Sequence, residues 1–193
     1  MNLLAHAVLS PPHPGHLVGN LIADWVKGRA RHALAPTLLP GIALHRRIDS
    51  FTDTHPLVAR CSALLADRWG RYSTVLVDIF FDHCLSADWS RHCPIPRRDF
   101  VASVYSALRD HLPLLPRRAH YAASALLADD WFNAYASLDG IALSLSRLSL
   151  RLHHDIELAT SVDDFTAHRS AFDHAFSEFF PEIRAYAAIP VPA

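Results

Sequence analysis

Apolar residues recur at three- and four-residue spacing along almost the whole chain, and no stretch alternates strictly between apolar and polar, so the pattern predicts helices and no strand. A short first helix is expected over residues 3–9, stopped by Ser10-Pro11-Pro12-His13-Pro14-Gly15, and a second over about 16–26, ended by Lys27-Gly28. After a loop over 29–40, a third helix starts at Pro40 or Gly41 and reaches about Phe51. A fourth starts at Pro56 and ends near Trp69-Gly70, and a fifth covers about 73–89. Further helices are expected over 97–112, 117–129, 138–152 and 162–187. Ser161 reads as an N-cap for the last of these, with Asp163 and Asp164 in its first turn. Ile189-Pro190-Val191-Pro192-Ala193 cannot extend that helix, so 188–193 is expected to fray. The expectation is an all-α, single-domain helical bundle over residues 1–193.

Length and composition agree with that reading: 193 residues, 51% hydrophobic, suit one compact core. The 18 basic and 19 acidic residues nearly cancel, which argues against nucleic acid or an anionic membrane as the partner. Cys61, Cys84 and Cys93 are odd in number and lack CxxC spacing, as expected of free thiols in a reducing cytoplasm. MNLLAHAVLSPPHPGH lacks the basic start and long apolar run of a secretory signal, and no later stretch approaches the ~20 apolar residues of a membrane span. A soluble cytoplasmic protein is therefore expected. Fourteen histidines are many for this length and turn attention to metal and proton chemistry.

In GIALHRRIDSFTDTHP, His45, Asp49 and Asp53 stand four apart on one helix face. That face is either solvated or one wall of a metal site, and Asp53 reads best as a cap for the fourth helix. In VDIFFDHCLSADW, Asp78 and Asp82 share a face, with His83 about 100° round from Asp82, inside one of the least polar helices of the chain. Buried carboxylates need a partner, which can be a divalent cation, an arginine or a helix N-terminus. His6 and Asp24 are lone polar residues on apolar stretches. Such a histidine is more often a hydrogen-bonded core residue than a ligand, whereas Asp24, expected to face the core with no basic neighbour, must find compensation across the fold.

Helix bundles build metal sites by projecting such side chains inward from facing helices, so Asp24, His45, Asp49, Asp78, Asp82 and His83 are the candidate ligands. Mixed His and Asp ligation without thiolate suits Mn²⁺, Mg²⁺, Fe²⁺ or Zn²⁺. Arg46 or Arg47 beside such a cation would suit a phosphoester, with at most one of the two facing it.

Together, MNLLAHAVLS, LVGNLIADWVKG, GIALHRRIDSFTDTHP, VDIFFDHCLSADW and DDWFNAY resemble the acyl carrier protein phosphodiesterases, in the same order from Met1 to about Tyr135. The resemblance implies an all-helical, HD-phosphohydrolase-like fold. It also implies hydrolysis, with a divalent metal that is usually Mn²⁺, of the phosphodiester joining 4'-phosphopantetheine to a serine of holo acyl carrier protein. His6, Asp24, His45, Asp78, Asp82, His83 and the HRRID residues fall in the family's matching segments. On that reading Arg46 or Arg47 stabilises charge on the phosphoryl oxygens, Asp24 serves the reaction, and His6 or His83 protonates the departing serine oxygen. Acyl carrier proteins are similar to one another in being small and acidic, so a basic rim is expected from Lys27, Arg29 and Arg31, with Arg97, Arg98, Arg117 and Arg118 as further candidates. The rival readings are an HD-type hydrolase of a nucleotide or other small phosphodiester, and a non-catalytic module that grips acyl carrier protein.

Overall fold

The computed structural model describes residues 1–28, 31, 34–152 and 156–189, and these form α-helices and short 3-10 turns with no strand among them. In order they are α1 (Leu3–Val8), α2 (Pro14–Ile22), α3 (Leu39–Thr54), α4 (Pro56–Trp69), α5 (Ser73–Ala87) and α6 (Trp89–His92). There follow α7 (Arg97–His111), α8 (Arg117–Ala128), α9 (Trp131–Ala134), α10 (Leu138–Leu152), α11 (Ser161–Ala167) and α12 (Arg169–Ala187). The all-α expectation is met. The expected frayed tail lies, from residue 190 on, outside the described residues.

Where element ends differ from expectation, local chemistry explains it. α2 starts at Pro14 because proline's fixed φ suits a first helical position, and the His13 side chain accepts the His16 N–H at 3.3 Å. Its C-terminus tightens into a 3-10 turn, Ala23–Trp25. α3 runs on through Thr54, so Asp53 sits exposed within it and does not cap α4; His55 takes that role, accepting the Leu57 N–H. The last expected helix is two, separated at His168.

The core is aromatic at its centre. Phe80 and Phe81 of α5 are fully buried and pack against Phe165, Phe172, Phe176 and Phe179 of α11 and α12, mostly edge-on at centroid distances of 4.5–6.2 Å. This apolar mass draws in residues from Met1 to Ile183 and leaves the polar cluster at one side, between α1, α2 and α3. Cys61, Cys84 and Cys93 are free thiols. Among the described residues no helix is long and apolar enough to cross a membrane.

Two glycines set the spacing of α2 and α3. A Cβ on Gly41 would meet the His16 carbonyl oxygen at 2.0 Å and the Asn20 nitrogen at 2.6 Å, and one on Gly19 would meet the Leu38 oxygen at 2.1 Å. Only hydrogen fits in that gap, so the two helices lie backbone to backbone. With six residues α1 is too short to persist alone. It is held from α5, where both oxygens of Asp82 accept its first amides, Leu4 N–H at 2.8 Å and Ala5 N–H at 3.0 Å.

Candidate metal centre

The close packing of α2 and α3, with α1 laid across them, brings His6, Asn20, Asp24, His45 and Asp49 together. The His6 and His45 rings stack at 4.2 Å. His45 Nε2 lies 2.9 Å from Asp49 Oδ2, its neighbour one helical turn on, and 3.3 Å from Asp24 Oδ1. Burial opposes the imidazolium of His45, but the hydrogen bonds to Asp24 and Asp49 outweigh it and raise its pKa to about 9. Asp49 is likewise driven well below the usual carboxylate range, its contacts with His45 and His6 overcoming the opposing effect of burial. The hydrogen bond from His45 also lowers Asp24.

His6 is fully buried, and its tautomer follows from its neighbours. The Asn20 amide N–H groups donate to the His6 carbonyl and to Ser10 Oγ, each at 2.9 Å, which turns Asn20 Oδ1 toward His6 Nδ1 at 2.8 Å. Nδ1 therefore carries hydrogen, and burial lowers the pKa of the ring. Nε2 faces the Met1 carbonyl and Asp49 Oδ1, both at 3.1 Å. His6, His45 and Asp49 each offer a ligand atom within 4.8 Å of the others, and Asp24 adjoins them through His45. Nitrogen and carboxylate donors without thiolate suit a hard or borderline divalent ion. His45 Nδ1 is buried without a hydrogen-bond partner.

The expected ligands do not all assemble here. Asp24 does not face the core: the 3-10 turn swings it outward, its side chain 69% exposed on the open edge of the cluster. Asp78 and Asp82 share a face of α5 but separate by partner. Asp82, fully buried, accepts the first amides of α1 as described above, its pKa pushed up to about 7 by burial against the pull of those two amides. Asp78 lies 3.1 Å from the Met1 α-ammonium, which also stands 3.9 Å from Asp49. Burial still raises the Asp78 pKa despite that ion pair.

His83 is elsewhere, with Nδ1 donating to the Tyr135 carbonyl at 3.0 Å and Nε2 beside Arg169. Arg47 points away to the end of α12, donating to the Tyr186 and Ile189 carbonyls at 3.0 and 2.7 Å, because those helix-terminal oxygens need donors. Arg46 is exposed on α3. Of the expected rim, Lys27, Arg31, Arg98, Arg117 and Arg118 are exposed and Arg29 lies outside the described residues. Arg97 is half-buried instead, donating to the Phe132 carbonyl and to Asn133 Oδ1.

Residues not among the expected site residues complete the site. Besides Asn20, a cavity of about 370 Å³ opens beside the cluster, lined by Met1, Asp24 and Asp78, by Trp131 of α9 and by Ser144 and Arg147 of α10. Among the described residues Arg147 has one long ion pair, 3.5 Å to Asp129, and its guanidinium can hydrogen-bond a phosphate.

A profile of the family described as acyl carrier protein phosphodiesterase matches residues 1–183. Acyl carrier protein phosphodiesterases from Yersinia enterocolitica and Pectobacterium atrosepticum are each 33% identical to the chain, over 190 and 184 residues. They cover 97% and 95% of it, and the same shares of their own lengths. That of Escherichia coli O157:H7 is 32% identical over 189 residues, 97% of this chain and 98% of its own. No solved structure matches the chain.

Proposed function

The chain belongs to the acyl carrier protein phosphodiesterase family, and from that premise we propose that the His6–His45–Asp49 cluster is its catalytic centre. The reaction would be release of 4'-phosphopantetheine from a serine of holo acyl carrier protein. The observation that carries the reading is that His6, His45 and Asp49 each bring a ligand atom within 4.8 Å of the others, with both histidines buried.

A divalent cation at that point, Mn²⁺ by preference, would supply Lewis-acid polarisation of a phosphoryl oxygen and acidify water. His6, His45 and Asp49 would hold it, with Asn20 keeping hydrogen on His6 Nδ1 so that Nε2 is left for the cation. Asp24, ionised and open to solvent, is placed to orient the attacking water and take its proton. Arg147 takes the part that Arg46 and Arg47 were expected to play, steadying charge on the phosphoryl oxygens from across the cavity. His6 is fully enclosed and His83 Nδ1 is committed to Tyr135, so the proton that Asp24 takes from water would pass to the departing serine oxygen. Lys27, Arg117 and Arg118 offer an acidic carrier protein a basic approach in the cytoplasm.

Mass spectrometry of holo acyl carrier protein incubated with the enzyme and Mn²⁺ tests the proposal. Loss of the phosphopantetheine mass is expected, and Asp24→Ala and His45→Ala should abolish it. An unchanged carrier mass, or near-normal turnover by both variants, would overturn it.

A further inference from the structure

We propose that the 370 Å³ cavity beside the cluster is the seat of the pantetheine arm, with the carrier protein outside it beyond Trp25 and Trp131; this assignment rests on the phosphodiesterase reading above. The volume falls near the bottom of the ~300–1,000 Å³ range of small-molecule pockets, far too small for folded polypeptide. Its lining is mixed: Asp24, Asp78 and Arg147 are charged, and Val75 and Ile79 of α5 and Leu148 of α10 are apolar. A pantetheine arm joins the same two chemistries, a phosphate head and a body made of a gem-dimethyl group, two amides and a thiol. Its phosphate belongs beside Arg147 and the cluster, and its aliphatic body against the valine, isoleucine and leucine. Ser144 Oγ spends its hydrogen on the Gly140 carbonyl and keeps lone pairs for an amide N–H.

The wall is built before any ligand arrives. Asp130 takes a left-handed conformation, φ 50°, held by the Tyr105 hydroxyl at 2.7 Å and by the Asn133 side-chain amide. The turn so fixed presents Trp131. Asp129 then binds both sides of the cavity, one oxygen accepting from the Trp131 indole at 3.3 Å and the other facing Arg147 at 3.5 Å. This knot is what the DDWFNAY segment makes.

Trp25 and Trp131 also form one side of a separate groove of about 700 Å³, which adds Arg117, Arg118 and Tyr121. Both arginines are exposed with no ion pair among the described residues, and Tyr121 is 78% exposed. An arm seated in the cavity would therefore lead out onto a basic, aromatic surface complementary to an acidic protein.

The test fills the cavity from its rim. Val75 is 43% exposed, so Val75→Trp adds bulk without disturbing the core, and Leu148→Trp does so from the facing helix. With holo acyl carrier protein and Mn²⁺, both variants should raise KM about tenfold or more with kcat within about twofold, as expected when uniform binding is lost. The inhibition constant of apo acyl carrier protein, which lacks the arm, should stay at its wild-type value. Wild-type KM in both variants, or a parallel rise in the inhibition constant for apo carrier, would overturn the arm assignment while leaving the catalytic reading intact. A wild-type enzyme that binds apo and holo carrier equally and releases no phosphopantetheine would overturn both.

Discussion

Replacing Gly41 with alanine adds one methyl group at the tightest point between α2 and α3. The new carbon would lie 2.0 Å from the His16 carbonyl oxygen and 2.6 Å from the Asn20 nitrogen, where 3.4 Å begins ordinary contact. Both obstacles are helix backbone and cannot rotate aside, so the helices must part by roughly an ångström or more. Overpacking of this kind costs about 1–3 kcal/mol, and for a chain of this size each kcal/mol lowers Tm by about 2–4 °C. The functional loss should be larger than the structural one. His45 stands one turn along α3 from Gly41, and its contact with Asp24 is already long at 3.3 Å. A displacement of about 1 Å at such a site commonly costs about 10²-fold in rate. Differential scanning calorimetry, Mn²⁺ titration and phosphopantetheine release measure the three effects, and Gly70→Ala serves as control. Gly70 has φ +50° with open space around it, so alanine there should cost about 1–3 kcal/mol of backbone strain and spare activity. Wild-type Tm, Mn²⁺ affinity and turnover in Gly41→Ala would refute the claim that this contact positions the site.

Asn20→Ala frees the His6 ring and should weaken Mn²⁺ binding about 10–100-fold by calorimetric titration, and unchanged affinity would remove Asn20 from the site. Asp82→Ala removes the acceptor for two buried amides and should cost about 1–3 kcal/mol in chemical denaturation; full stability would show that α1 holds itself. The His45 pKa in the cation-free fold, about 9, lies above its unfolded value of 6.5, so the stability it contributes is complete below about pH 6.5 and lost as pH rises through about 9. Chelator-treated protein should therefore lose Tm between those values, and His45→Gln should flatten that slope; parallel slopes would reject the pairing. Arg147→Ala should lower kcat about 10²-fold with Tm nearly unchanged, the Asp129 pair being part-exposed and weak, and retained kcat would clear Arg147 of a role at the phosphate.

The helical architecture was legible because periodicity is a local property, and α3, α4 and α5 fell close to their expected spans. Two misplaced starts share a cause: a histidine can cap as an aspartate does, as His13 and His55 do, and the pattern alone gave no reason to prefer His55 to Asp53. At the site, His45 and Asp49 were visible as a stripe because both sit on one helix. Asp78 and Asp82 make an equally good stripe, but their roles are set by what packs against them, a chain terminus and the amides of α1, and no spacing rule reports that. Asp24 misled through a single change of pitch from α to 3-10. Arg147, Ser144 and Trp131 come from the half of the chain without dense polar motifs, and only tertiary packing brings them to the cavity. Asn20 had a signal in its neighbour Gly19: where helices touch at backbone distance, an amide beside the contact is well placed to serve both.

The bond between Asp82 and α1 links the order of synthesis to the moment of competence. The first histidine of the site is translated early, yet its segment has no anchor until a carboxylate 78 residues downstream of Leu4 has left the ribosome and settled against the aromatic core. A nascent chain thus carries His6 unplaced through most of its elongation. The polar cluster is a late product of folding, since α1 gains its anchor only when α5 is packed against the aromatic side chains of α11 and α12.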